Sequence, residues 1–236
     1  MDIQQRTFHK GAIGSDDVKR LIESGDYVDK SLFIKDILHD NHQVLLITRP
    51  RRWGKSSNMS LLKTFLELEV DKEGNPLPND KKTNPVYFTG GIIGEGNKKI
   101  ANKGLKISQE AGAMEELGQY PVIMINFKDL GGATYEQIVE NLKLKMSIIF
   151  NQHSYLVSSP QLSDINKKKF SRYLSNEITE SETADALRFL LECLFTHFNK
   201  KVWVLIDEYD SAIHRAYGAF MKCTLLYIHG VYGICV

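Results

Sequence analysis

A chain of 236 residues with 42% apolar and 25% charged residues can bury one sizeable core, and 10% aromatic residues argue against disorder. The formal net charge of +1 gives no general attraction for nucleic acid or for an anionic membrane. No run supplies the roughly 20 uninterrupted apolar residues of a membrane-spanning helix, and the three cysteines lack C-x-x-C spacing, so we expect a cytoplasmic protein without a membrane partner.

Two short helices and a strand are predicted before the first motif. Apolar side chains recur at helical spacing in residues 16–23 and 31–38, and the apolar run at 44–47 is typical of a buried strand. Residues 56–68 then return to helical spacing. A strand, a short loop and a helix in this order present a ligand-binding loop at the end of the strand.

The loop after this strand carries part of a phosphate-binding motif. Gly54-Lys55-Ser56 satisfies the second half of the pattern G-x-x-x-x-G-K-[ST], whereas Arg49 stands where the first glycine is expected. In such a loop, backbone N–H groups and the helix N-terminus surround an anion, the lysine neutralises it and the hydroxyl ligates magnesium. Taken alone, Lys55 also fits a solvated lysine at a helix terminus. The expected ligand is a nucleoside triphosphate.

Residues 71–104 interrupt the regular pattern. Three prolines, six glycines and many lysines and asparagines predict a surface excursion with little core of its own. The glycine cluster at 90–96 is predicted to be a flexible loop rather than a dinucleotide fingerprint, because no convincing strand precedes it.

The apolar β-pattern returns at residues 121–126, which we interpret as a second core strand ending in Asn126. Residues 134–150 and 182–198 are predicted to be amphipathic helices. Asn126 is a candidate site residue, because polar residues at the C-terminal ends of parallel strands face the ligand-binding edge of the sheet.

A third strand ends in carboxylates. The apolar residues 202–206 indicate a strand buried on both faces, and Asp207 and Glu208 follow it directly. Asp207 suits the Mg²⁺ that Ser56 also touches, and Glu208 suits the orientation and deprotonation of an attacking water. The alternative is an N-cap and first-turn acid of an ordinary helix.

Several blocks together resemble the AAA-ATPase-like proteins of bacteria, which are often fused to a nuclease-like domain of the PD-(D/E)XK type. The family's loop looks like Arg-Pro-Arg-Arg-Phe-Gly-Lys-Thr, which explains the missing glycine; Trp53 and Ser56 are mild departures. The resemblance runs from about Tyr27 to Ile213 and is carried by residues 27–34, 46–56, 58–63, 104–107, 120–123 and 205–210.

The resemblance implies an α/β fold, a P-loop NTPase three-layer sandwich of the AAA/ASCE type with a mostly parallel sheet. We assign residues 1–236 to one such domain. Its parts are an N-terminal helical lead-in at 1–40, a motif-bearing core at 41–213 and a divergent tail at 214–236.

The divergent tail at residues 214–236 departs from the pattern of the family. The family orders its strands 5-1-4-3-2, so that the strand after the carboxylates inserts between the two motif-bearing strands. Only the 26 residues 211–236 follow Asp210, and we expect a chain truncated at this end. The alternative is that the β-prone residues 224–228 fill the vacant position.

The motifs and the resemblance together predict ATP and Mg²⁺ as cofactors. Lys55 is assigned to the β- and γ-phosphates, Ser56 and Asp207 to the metal, and Glu208 to catalysis. The resemblance also implies that residues 27–31 contribute to the purine pocket. Further nucleotide-binding candidates are Arg51, Arg52, Gly54 and Ser57.

The predicted function is an ATPase motor or switch. The alternatives are a nucleotide-binding regulatory module without turnover and a P-loop small-molecule kinase; Glu208 beside Asp207 favours water as the acceptor. By resemblance, Asn126 either holds the catalytic glutamate away from water or is a simple strand-end asparagine. Homo-oligomerisation stays open, and nucleic acid enters only indirectly, through the family's nuclease-like domain.

Overall fold

Helices and parallel strands alternate along the chain. The structure is a computed structural model, and it describes residues 15–48, 50, 52–94, 99–128, 130, 132 and 134–208 with the backbone of 231–235. The helices are α1 (Val18–Glu23), α2 (Phe33–His39), α3 (Lys55–Leu66), α4 (Pro85–Thr89), α5 (Ala111–Met114), α6 (Tyr135–Gln152), α7 (Asp164–Leu174) and α8 (Glu180–Phe198). The strands are β1 (Val44–Leu46), β2 (Gly91–Ile93), β3 (Ile100–Asn102), β4 (Val122–Asn126), β5 (Val202–Asp207) and β6 (Val231–Cys235).

Side-chain caps determine where several helices begin. Asp17, Thr134 and Ser163 each accept a hydrogen bond from a first-turn backbone N–H of α1, α6 and α7. Thr179 and Glu182 form a capping box at the start of α8, because each side chain accepts from the other's backbone N–H. The helices and core strands predicted from the sequence are confirmed, with ends that shift by at most two residues. No helix in the described part of the chain is long and apolar enough to cross a membrane.

The larger sheet has the strand order β1-β6-β5-β4, and all neighbouring strands run parallel. β6 is in register with both neighbours, because Gly233 pairs with Val44 on β1 and with Val204 on β5. β2 and β3 form a separate antiparallel hairpin. The predicted α/β fold with a mostly parallel sheet is therefore confirmed.

The position between β1 and β5, treated as vacant in the sequence analysis, is filled. Its occupant is Val231–Cys235. Residues 224–228, the strand proposed from the sequence for this position, lie outside the described residues. This strand was missed from the sequence because Gly233 lowers its local β-propensity. Its pairing with two neighbours depends on the whole sheet and is not visible in the local sequence.

The core lies on both faces of β5, as the sequence predicts for an apolar strand of this kind. Alternate side chains point to opposite faces of a strand. Val202, Val204 and Ile206 belong to a cluster with α6, α7 and α8. Trp203 and Leu205 belong to a second cluster with helices α1 to α4. Every residue of β5 is buried.

Residues 71–104 contribute more to the core than we expected. Phe88 on α4 is fully buried, and its ring packs edge-on against Phe65 of α3 with centroids 5.1 Å apart. Gly91–Ile93, inside the predicted flexible loop, is the strand β2. A Cβ at Gly104 would lie 2.7 Å from the carbonyl oxygen of Phe88, so the chain packs here backbone against backbone. The prediction failed because irregularly spaced apolar residues carry no periodic signal.

Candidate functional site

The loop after β1 ends in a helix start that is open to a ligand. Gly54 adopts a left-handed conformation, with φ 78° and ψ 27°, and α3 begins at the next residue. Among the described residues no side chain caps this helix, although Asn58 N donates to the Gly54 carbonyl oxygen at 2.9 Å. The remaining first-turn N–H groups need partners from outside the helix, and an anion is the partner that the helix dipole favours.

The two predicted motifs meet through one side-chain contact. The Ser56 hydroxyl in the first turn of α3 lies close enough to the carboxylate of Asp207, at the end of β5, to favour its charged form. These residues are 151 positions apart in the sequence, from 56 to 207. The structure thus brings together the two groups that the sequence assigns to a metal ion.

Asp207 is enclosed, with 1% of the residue's surface exposed. It accepts hydrogen bonds from Asn126 Nδ2 at 3.3 Å and from the backbone N–H of Glu208 at 3.0 Å. Burial raises the pKa of Asp207 above its usual value, the nearby Ser56 hydroxyl opposes this, and the negative charges of Glu208 and Asp16 add to the rise. A bound cation would stabilise the charged form of such a carboxylate, and its hard oxygen ligands suit Mg²⁺.

Asn126 holds the Asp207 carboxylate. The two residues are direct neighbours in the parallel register of β4 and β5. The Asn126 amide oxygen accepts from Lys128 N at 2.7 Å, which fixes the amide orientation with Nδ2 toward Asp207. The described contacts therefore place Asn126 beside the proposed metal ligand Asp207. This position differs both from restraint of the catalytic glutamate and from a simple strand-end asparagine.

Glu208 follows β5 in a left-handed conformation with φ 55°. For a residue with a side chain this conformation costs roughly 1 kcal/mol, and such residues concentrate at functional sites. Glu208 is half-buried, and its backbone N–H donates to the Asp207 carboxylate at 3.0 Å.

A cleft of about 520 Å³ opens beside the loop, between α2 and α3. Its walls are mostly apolar, and its polar groups are few, which is typical of nucleoside and other small-molecule sites. The sequence pointed to only some of the residues that line this cleft. Spacing shows which residues share a helix face but not which two helices enclose a space. The lining residues are Lys30, Phe33, Asp36, Ile37, Ile47, Trp53, Lys55, Asn58, Met59 and Leu62.

Residues 27–31 reach the cleft through Lys30. Asp29 accepts hydrogen bonds from the backbone N–H groups of Ser31 at 2.9 Å and Lys106 at 2.8 Å. Burial raises the pKa of Asp29, but these hydrogen bonds outweigh it, so that the pKa lies below the usual value. The buried Ser31 hydroxyl accepts from Ile107 N at 3.0 Å. Two blocks of the family resemblance are thereby joined.

The remaining predicted residues have less defined surroundings. Ser57 lies half-buried in the first turn of α3. Arg52 is exposed and has a φ of 67°, and no described contact ties it to the site. Arg51 lies outside the described residues. The site that the structure brings together consists of Gly54, Lys55, Ser56, Asp207 and Glu208.

One comparison with known proteins identifies a family for most of the chain. The family model described as "Predicted AAA-ATPase" matches residues 12–77 and 86–224. No curated protein and no solved structure matches the chain. The match extends the resemblance, which we expected over residues 27–213, at both ends. It omits only residues 78–85 between its two parts, and these lie within the irregular stretch 71–104.

Proposed function

Because the chain belongs to the AAA-ATPase-like family, we propose that it binds ATP with Mg²⁺ and hydrolyses ATP as a motor or switch. The family suggests nucleotide binding in general; the reaction is our inference. The observation that carries it is the proximity of Ser56 and Asp207, which brings the first turn after Gly54-Lys55 close to a buried strand-end carboxylate. On the same grounds we assign the fold to the P-loop NTPase three-layer sandwiches, with the parallel sheet as the central layer.

The metal fits the residues that face it. Asp207 is buried and repelled by Glu208 and Asp16, and the Ser56 hydroxyl lies nearby, so a divalent cation would relieve an unfavourable arrangement. When bound, Mg²⁺ supplies positive charge to the phosphate oxygens. Ser56 and Asp207 would hold it, and Asn126 keeps the Asp207 carboxylate in orientation.

The remaining roles follow from position. Lys55 extends from the open helix start and neutralises the β- and γ-phosphates. Glu208 orients a water molecule and accepts its proton as the water attacks the terminal phosphate. Its left-handed backbone, next to the fixed Asp207, supports a role distinct from metal binding.

We assign the nucleoside to the cleft between α2 and α3. Its volume of about 520 Å³ suits a base with its ribose, and Phe33, Ile37 and Met59 provide apolar walls. Asp36 and Asn58 are the polar groups available for the edge of the base. Lys55 lines the same cleft, so the nucleoside and the phosphates would occupy adjoining sites.

Lys55→Ala tests nucleotide binding directly. The variant should keep its fold, because the lysine belongs to a helix start rather than to the core. It should lose on the order of 2 to 4 kcal/mol of ATP binding free energy, measured by isothermal titration. Lys63→Ala is the matched control, because Lys63 lies on the same helix but ion-pairs with Glu67 at 2.6 Å. Equal ATP affinity in parent and Lys55→Ala would overturn the phosphate assignment.

Turnover separates the ATPase from a regulatory module. Glu208→Gln should bind ATP with nearly parental affinity and lose phosphate release, whereas Asp207→Ala should lose the Mg²⁺-dependent part of binding. A parent that binds ATP but releases no more phosphate than Glu208→Gln is a binding module without turnover. Identical behaviour of the two variants would contradict the division of roles.

A further inference from the structure

Lys30 brings a second ammonium group to the loop that carries Lys55. Its Nζ donates a hydrogen bond to the carbonyl oxygen of Trp53 at 3.4 Å. It also lies 3.8 Å from where a Cβ of Gly54 would be. Lys30 and Lys55 line the same cleft, one from the segment before α2 and one from the start of α3.

The backbone on both sides of Lys30 is fixed to a distant part of the chain. Asp29 accepts from Lys106 N at 2.8 Å, and the Ser31 hydroxyl accepts from Ile107 N at 3.0 Å. Ser31 is fully buried, whereas Lys30 between the two anchors is exposed. The position from which the lysine extends is therefore set before any ligand arrives, which lowers the entropic cost of using it.

The composition of the loop leaves fewer backbone N–H donors for phosphate than a glycine-rich loop has. A glycine-rich loop binds phosphate largely through backbone N–H groups. Here Pro50 has no N–H to donate, and Arg49 replaces the first glycine of the pattern. An ammonium group has three donors, and the Trp53 carbonyl uses one of those on Lys30, which leaves two for other acceptors.

We propose that Lys30 is a second phosphate-binding cation, which contacts the phosphates of the bound nucleotide together with Lys55. This proposal rests on the proposed nucleotide-binding function. Lys30 belongs to the binding site rather than to the chemistry of the reaction. Its contribution should therefore increase with the number of phosphates on the ligand and should decrease with rising salt concentration.

The test compares Lys30→Met with Lys30→Arg and with the control Lys35→Met. Methionine keeps the apolar stem and removes the charge. Lys35 lies five residues further on, but its ammonium faces Glu110 at 2.7 Å and does not line the cleft. Isothermal titration with ATP, ADP and adenosine, at about 50 mM and about 500 mM KCl, measures each affinity under weak and strong screening.

We expect Lys30→Met to weaken ATP binding about tenfold or more at low salt, with a smaller loss for ADP and little change for adenosine. The loss should shrink at high salt, Lys30→Arg should retain most of the affinity, and Lys35→Met should match the parent. Thermal unfolding without nucleotide verifies that each variant is folded.

Two results would overturn the proposal while leaving the proposed function intact. The first is parental ATP affinity in Lys30→Met when Lys55→Ala has lost it. The second is a loss of equal size for ATP and adenosine that does not change with salt, because Lys30 would then only brace the Trp53 carbonyl. If the parent itself does not bind ATP, the proposed function fails, and this inference fails with it.

Discussion

Three elements fix the Asp207 carboxylate before any ligand arrives. Ser56 contacts it from α3, Asn126 from β4, and the Glu208 backbone from the turn after β5. Burial and the nearby Glu208 both disfavour its charge, so the folded chain carries an electrostatic cost here. A cation that binds this carboxylate removes part of that cost. Under the proposed function, the metal-free protein would therefore give up some stability for this site.

Burial also disfavours the charged form of His153, which lies outside the candidate site. It caps the C-terminal end of α6, and its Nδ1 lies 3.0 Å from the Tyr155 hydroxyl. Its Nε2 is buried and has no hydrogen-bond partner among the described residues. Burial, followed by the positive charge of Lys63, lowers the pKa of His153 to about 4.

This pKa makes a prediction for acid stability. Between its unfolded pKa near 6.5 and its folded value of about 4, the unfolded chain binds a proton that the native protein does not. The free energy of unfolding should therefore fall as the pH is lowered, by about 2 kcal/mol between pH 6.5 and 5. Urea unfolding should show a flatter pH profile for His153→Gln than for the parent. His42→Gln, at an exposed residue paired with Asp40, is the control, and parallel profiles for all three proteins would contradict the prediction.

At the residue scale, the sequence identifies the groups that a short motif fixes. Gly54, Lys55 and Ser56 are adjacent in the chain, and Asp207 ends an apolar run, so local pattern suffices for them. Asp36 was not predicted, because its relevance depends on the packing of α2 against α3. Side chains that meet only through tertiary structure leave no local signal.

At the scale of elements, the link between residues 27–31 and the 3-10 helix Lys106–Gln109 organises the entrance to the cleft. Ser31 is fully buried, and its hydroxyl satisfies the backbone N–H of Ile107, which the 3-10 helix cannot pair internally. The same link fixes the backbone next to Lys30. A change at this contact should therefore affect both stability and nucleotide binding.

Ser31→Ala tests this link with the loss of one atom. Removal of the hydroxyl leaves the Ile107 N–H buried without its partner, which should lower the free energy of unfolding by about 1 to 3 kcal/mol. ATP affinity should also fall, because Lys30 loses one of its two flanking anchors. The control Ser175→Ala removes an exposed hydroxyl and should stay within about 0.5 kcal/mol. An unchanged unfolding curve for Ser31→Ala would show that the link is dispensable.

Elements with strong periodicity were predicted well and irregular ones were not. The long helices α6 and α8 repeat apolar side chains at helical spacing, so they are visible in sequence. The hairpin of β2 and β3 has strands of three residues, too short to show a period, and glycines that mimic a loop. Phe88 was missed as a core residue for the same reason.

At the scale of the whole molecule, β6 connects the two halves of the site. It is the only described strand between β1, which leads to the phosphate loop, and β5, which ends at Asp207. Three residues of β1 and five of β5 pair with it in parallel register. The distance between Lys55 and Asp207 is thus set by a strand whose sequence gives little indication of a central position.

The central position of β6 predicts its exchange behaviour and the effect of its removal. The amides of Val231–Cys235 should exchange with deuterium as slowly as those of β5, because their hydrogen bonds open only on global unfolding. The hairpin strands β2 and β3, which pair only with each other among the described strands, are the internal control and should exchange faster. Deletion of residues 231–236 should leave β1 without its described neighbour, expose unpaired backbone groups and abolish both cooperative unfolding and ATP binding. Exchange of the β6 amides within seconds, or a deletion variant that still binds ATP, would show that the sheet does not need this strand.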